Sequence, residues 1–254
     1  MNSAIPRLKQ AVAVSIAATI LSAPPSFSQI STNQRQNTMT AQQTLSRTQQ
    51  AIAPITVAAA TGDMAQLSVA LNEGLDAGLT VSETKEILVQ LYAYAGFPRS
   101  LNALGALMKV VDARRQRGVQ DAPGRDPNAP IPSGKDLLAA GTATQTKLAG
   151  APVQGPVFEF APAIDEYLKT HLFGDIFARD NLDWQSRELA TVGVLSAAEG
   201  IEAQLQSHVR ISMNVGITPA QLRSVAEVLS ERDQPEAARR LRNAIEQVEA
   251  AAKR

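Results

Sequence analysis

The chain carries two histidines and no cysteine. One of them, His208, lies between Arg187-Glu188-Leu189-Ala190-Thr191 and Asn214-Val215-Gly216-Ile217-Thr218. An acid, a base and a cation therefore fall on consecutive helical stretches that meet at a capped turn. Imidazole titrates near neutral pH, so a helix-borne His beside a carboxylate suits general acid and base work. Glu188 could orient His208 or raise its pKa, and Arg187 or Arg99 could grip a substrate carboxylate with its two-pronged guanidinium. A second cluster, Tyr92-Ala93-Tyr94-Ala95-Gly96-Phe97-Pro98-Arg99, offers two phenols that could donate to a developing enolate oxygen and a further cation, Arg99.

Plainer roles compete for the same residues. Arg187 and Glu188 could form an ion pair that stabilises a helix start. Tyr92 and Tyr94 flank a helix end and could be half-buried core with wet hydroxyls. His171 precedes the apolar run Leu172-Phe173 and reads as a packing residue. The charge run from Lys109 to Arg117 reads as a solvated face.

Composition narrows the chemistry. Without cysteine there is no thiolate nucleophile, no peroxidatic thiol and no Cys metal site. Two histidines do not suggest a His-rich metal site, and no cofactor is expected. Lys plus Arg and Asp plus Glu both count 24, and aromatic residues make up 4% of the chain. A neutral chain without a basic stripe or stacking aromatics argues against nucleic acid as a partner.

The elements that must position these residues begin after a leader. Arg7 and Lys9 precede an apolar run, Ala11 to Leu21, that is short for a bilayer span, and Ser26 and Ser28 have signal-peptidase spacing. Residues 1–28 are therefore expected to be a secretory signal, with cleavage near Ser28–Gln29. The product would be periplasmic or secreted, with no membrane span left. Residues 29–48 are polar, lack periodicity and are expected to be a disordered leader.

Residues 49–117 have helical spacing. Leu67, Ala70, Leu71 and Leu75 share one face, Gly78 stops that helix, and Thr80 with Glu83 opens the next through a capping box. Gly96 and Pro98 are expected to end that second helix. Leu104, Leu107, Met108 and Val111 are expected to face inward from a third. Residues 118–162 hold half of the 14 prolines. They read as a linker or arm with one short helix at Lys135–Leu148 that crosses a partner subunit or the other half of the chain. Residues 163–254 return to helix, with Ile164–Phe177 amphipathic, Asp183 a cap, Gly200 a break, and Thr218-Pro219-Ala220-Gln221 a capped start. No segment alternates as a strand would, so the fold is expected to be all-α.

The two helical segments share a grammar. Asp76-Ala77-Gly78-Leu79-Thr80 lines up with Asn214-Val215-Gly216-Ile217-Thr218 at an offset of 138 (216 − 78). This reads as a diverged duplication of a helical unit. The halves differ chemically, because Ala70 stands where the second half has His208. The stretch matching Tyr92 to Arg99 keeps none of its tyrosines. A site would have to combine His208, Glu188 and Arg187 from one half with Tyr92, Tyr94 or Arg99 from a first half, in cis or across an interface.

At these residues the sequence resembles the carboxymuconolactone decarboxylase family, in the superfamily that also holds alkylhydroperoxidase D. The resemblance rests on Arg187-Glu188-Leu189 with His208 and Asn214 to Thr218. It rests equally on Thr80, Glu83, Glu86 through Pro98, and Asn102-Ala103, with Phe173-Gly174-Asp175 before Arg179 as a lead-in. It implies an all-helical fold assembled as a homotrimer or hexamer with sites between subunits. For the decarboxylase branch it implies loss of CO2 from a carboxylated muconolactone without metal or organic cofactor, with His208 moving the proton, Glu188 its partner and Arg187 a carboxylate contact. The peroxidase branch needs a Cys pair where this chain has Ala197-Ala198-Glu199-Gly200-Ile201-Glu202, so its chemistry is not expected. The leading expectation is an exported, cofactor-independent lyase or isomerase acting on a small carboxylated lactone or related acid. The alternative is a non-catalytic helical oligomer that binds a small ligand or scaffolds other proteins.

Overall fold

Ser46 and Thr80 in the first half, and Asp183 and Thr218 in the second, start helices by the same local chemistry. Each side-chain oxygen accepts from the backbone amide three residues on. In the computed structural model, which describes Met1 and residues 44–253, these caps open a repeated helical unit. The first unit holds α1 (Arg47–Thr61), α2 (Met64–Ala77), α3 (Val81–Gln90) and α4 (Tyr92–Gln116). An arm follows with α5 (Lys135–Ala149), α6 (Pro156–Phe160), α7 (Pro162–Tyr167) and a π-helical segment (Leu168–Ile176). The second unit holds α8 (Trp184–Ala197), α9 (Glu202–Asn214), α10 (Pro219–Glu231) and α11 (Pro235–Ala252).

No strand occurs among the described residues, and no helix there is long and apolar enough to cross a membrane. The fold is all-α, as expected. Apart from Met1, the expected signal peptide lies outside the described residues, as do residues 29–43 of the expected leader. The last residues of that leader already belong to the fold, since Leu45 is buried and Ser46 caps α1.

The offset read from the sequence carries α1 onto α8, α2 onto α9, α3 onto α10, and the part of α4 beyond Gly96 onto α11. Gly78 and Gly216 stop α2 and α9 with φ of 106° and 97°, a backbone that favours glycine. The centre of the fold is the crossing of α1 and α8. Each is buried along most of its length, Ile52 to Ala59 and Ser186 to Ser196, as a helix enclosed by others must be. A Cβ on Gly193 would stand 2.2 Å from Thr56 Oγ1 and 3.1 Å from Ala53 Cα, so glycine lets the two helices touch.

Four details depart from the expectations. Helix α3 ends at Gln90, and Gly96 (φ 80°, ψ 160°) then separates a short turn bearing Tyr92 and Tyr94 from the long helix that starts at Pro98. Met108 is exposed rather than inward, because the buried face of α4 is Ala103, Leu107, Val110 and Arg114. Arg114 is accordingly no member of a solvated face. It is buried and pairs with Asp76 and Asp121, and the hydrogen bonds it donates to Asp121 and then Asp76 raise its already high pKa. The arm is also less of a linker than its prolines suggest. Ala122 and Pro123 accept the amides of Val81 and Ser82, and Asp180 accepts from the amides of Asn128 and Ala129 and pairs with Arg125. Those bonds, led by the Asn128 amide, hold the Asp180 carboxyl down at about 2. The arm thus crosses from the first half of the chain to the second.

Candidate active site

Helix α8 starts at Asp183, and consecutive helical residues project about 100° apart. Arg187 and Glu188 therefore leave the helix in different directions. Glu188, wholly buried, faces α9, where its Oε2 lies 2.9 Å from His208 Nδ1. A ring nitrogen that faces a carboxylate carries the proton, so in the neutral imidazole Nε2 is the acceptor. Glu188 Oε1 is buried without a hydrogen-bond partner. Tyr94 packs edge-on against the imidazole, with centroids 5.7 Å apart and an interplanar angle of 85°. Its hydroxyl turns inward to Thr191 Oγ1 at 3.4 Å. Burial, and then the Glu188 charge, push the Tyr94 phenol well above its ordinary value, so it stays protonated.

Arg187 is not beside His208. Its Nη2 donates to Glu86 Oε1 (3.0 Å) and to the Arg179 carbonyl (2.7 Å), and its Nη1 donates to Gln90 Oε1 (3.0 Å). Arg179 and Asn181 complete the bonding of Glu86. Burial alone would raise the Glu86 carboxyl, but the Arg179 hydrogen bond and the Arg187 charge outweigh it and hold it below its ordinary value. Gln90 also donates to Thr191, so the network ends one contact from Tyr94. Arg187 thus ties α3 to α8 through a buried ion pair. It neither pairs with Glu188 nor reaches a ligand at the imidazole.

His208 and Tyr94 line one cavity of about 550 Å³. Its walls come from the Tyr94 turn, α5, the arm around Val153 and Phe158, the π segment, and the face of α9 that carries Gln204, Ser207 and His208. Leu168, Leu172, Phe173, Leu195 and Ile211 make it largely apolar. Tyr92 and Arg99 do not line it. Tyr92 stacks on Phe97 at 4.4 Å and tilts against His171, while the Arg99 guanidinium lies over Gly62. His171 itself is exposed and bonds Asp175 at 2.9 Å, rather than packing inward. Arg210, which the sequence reading did not single out, is at the cavity. Two residues from His208 on a polar helix, it resembled any solvated cation. Among the described residues no three His, Asp or Glu side chains gather as a metal-ligand set.

The duplication supplies an internal control. The positions matching Glu188, His208 and Tyr94 are Gln50, Ala70 and Arg232. A hollow lined by Gln50, Glu73 and Arg232 among others has Gln50 in the place of Glu188 and no histidine. Arg232 instead pairs across it with Glu73. The site that remains takes its imidazole and carboxylate from the second unit and its phenol from the first.

Comparison with known proteins gives a result of the same shape. The Carboxymuconolactone decarboxylase family matches this chain twice, over residues 25–109 and 162–247. No curated protein matches it.

Proposed function

The chain belongs to the carboxymuconolactone decarboxylase family, and from that premise we propose that the cavity at His208 is the active site of a cofactor-independent lyase or isomerase. Its substrate is a small carboxylated lactone or related acid. The observation that carries the proposal is the buried Glu188–His208 pair opening on an apolar cavity. With Nδ1 held by Glu188, Nε2 is the atom left to accept or deliver a proton on the cavity side. In the lyase direction the bond from a ring carbon to its carboxylate breaks and CO2 leaves. The electron pair enters the lactone π system, and Nε2, which has taken a proton from solvent beforehand, delivers that proton to carbon and returns to the neutral acceptor form. In the isomerase direction Nε2 removes a carbon-bound proton and returns it at another carbon. Apolar walls favour either step, because a delocalised anion tolerates a dry site better than a localised carboxylate does.

General acid and base groups of this kind are worth about 10²- to 10⁴-fold in rate. Turnover of a panel of small lactone monocarboxylates, read as CO2 release or as isomerisation, should fall by that order in His208→Ala. Glu188→Gln should also lose rate, with its helical circular dichroism unchanged. If His208→Ala matches the wild type on every substrate the wild type accepts, or the wild type accepts none, the catalytic reading fails. A ligand-binding oligomer is then the better account.

A further inference from the structure

We infer that the cavity selects an amphipathic monocarboxylate, its single anionic group held by Arg210 at the mouth and its apolar body seated against the inner walls. The inference rests on the same cavity being the reaction site and deepens that reading by naming the class of substrate. Among the side chains that line the cavity, Arg210 carries the only permanent charge, and no Asp or Glu is among them. Glu188 sits behind His208, fully buried and bonded to it. The field offered to a ligand is that of one cation set in a largely apolar, otherwise uncharged surround.

Arg210 is exposed, whereas the His208 side chain is only 11% exposed. The cation therefore marks the entrance and the imidazole a deeper level. Arg210 makes one side-chain hydrogen bond among the described residues, from Nη2 to Ser207 Oγ at 3.0 Å. That bond steadies the guanidinium and leaves N–H groups for a two-pronged carboxylate contact. Arg187 offers a contrast, since its two terminal nitrogens are occupied by Glu86, Gln90 and the Arg179 carbonyl. A second carboxylate on the ligand would find no second permanent cation in the lining, only uncharged donors such as Gln145 and Gln204 set among Leu168, Leu172, Phe173 and Ile211, and a buried charge without a counter-charge is costly. A neutral ligand would forgo the cation. One carboxylate on an apolar body satisfies both features.

The test is calorimetric titration of the full chain with three probes: 4-phenylbutyrate, its uncharged amide 4-phenylbutyramide, and the dianion cis,cis-muconate. Phenylbutyrate should bind more tightly than either of the others. Arg210→Gln should weaken phenylbutyrate by at least about tenfold, the scale of a charge-assisted contact, and leave the amide within about twofold. Equal phenylbutyrate binding by Arg210→Gln and wild type overturns the inference. So does tighter binding of muconate, or no binding by any probe. His208→Ala, titrated in parallel, should still bind phenylbutyrate. If probe selectivity fails while turnover remains sensitive to His208→Ala, the substrate class alone is wrong. If selectivity holds while turnover ignores His208→Ala, the catalytic reading alone is wrong.

Discussion

Arg187 and Glu188 are neighbours in sequence and have unrelated duties, and the reason is helical phase. Glu188 meets His208 of α9, while Arg187 meets Glu86 of α3. Their substitutions should fail in different assays. Arg187→Met removes a fully buried cation and leaves Glu86 with Arg179 as its one counter-charge and Asn181 as a neutral donor, and breaking a buried pair from one side costs about 3–5 kcal/mol. The urea midpoint should fall accordingly, while the protein that remains folded keeps its turnover. If Arg187→Met proves as stable as wild type, the pair is not structural. The Glu188–His208 pairing was legible in the sequence because each residue sits at a fixed place in a helix with a recognisable start. The role of Arg187 was not, because adjacency in a helix is divergence in space. Tyr94 was separated from Tyr92 by the same phase, and Arg210 by nothing, since a lone cation on an amphipathic helix looks solvated until its neighbours are known.

At the level of elements, the caps were readable because their chemistry is complete within four residues, and Thr80–Glu83 and Thr218–Gln221 form as expected. The cavity wall was not. It is made where α5 lies on the π segment, and a π turn follows no apolar period that marks it in advance. The contact is backbone on backbone: a Cβ on Gly141 would stand 1.7 Å from the Lys169 carbonyl oxygen and 3.0 Å from the Gly174 amide nitrogen. Gly141→Val should therefore push α5 off the segment that carries Leu168, Leu172 and Phe173. Overpacking of this kind costs about 1–3 kcal/mol. Ligand binding should weaken with it, because Gln145 and Ala149 of α5 share the cavity. A Gly141→Val protein with normal stability and normal phenylbutyrate affinity would show that this wall is not set by the close approach. The seven prolines of the arm pointed to a linker, yet several of its backbone groups bond α3 and Asp180, so it helps to hold the site together.

Across the whole molecule, the duplicated units are joined by more than the apolar crossing of α1 and α8. Glu86 comes from the first unit, Arg187 from the second, and Arg179 from the turn before it, and all three meet in one buried cluster. That makes the union of the halves sensitive to acid. The Glu86 carboxyl is held below its ordinary value of 4.5, its hydrogen bond from Arg179 and the Arg187 charge outweighing burial. A carboxyl depressed in the folded state binds its proton more readily once the chain unfolds. Its contribution is therefore complete above 4.5 and is lost as pH falls through the lower folded value. Glu86→Gln lacks that titration and leaves Arg187 buried without a carboxylate. Its urea midpoint should lie well below the wild type at neutral pH, and the gap should narrow once pH drops below 4.5. A gap that stays constant through that range would mean that the halves are joined by packing alone. In that case the Glu86 cluster would be a passenger in the interface, and the acid sensitivity would have to come from groups elsewhere in the fold.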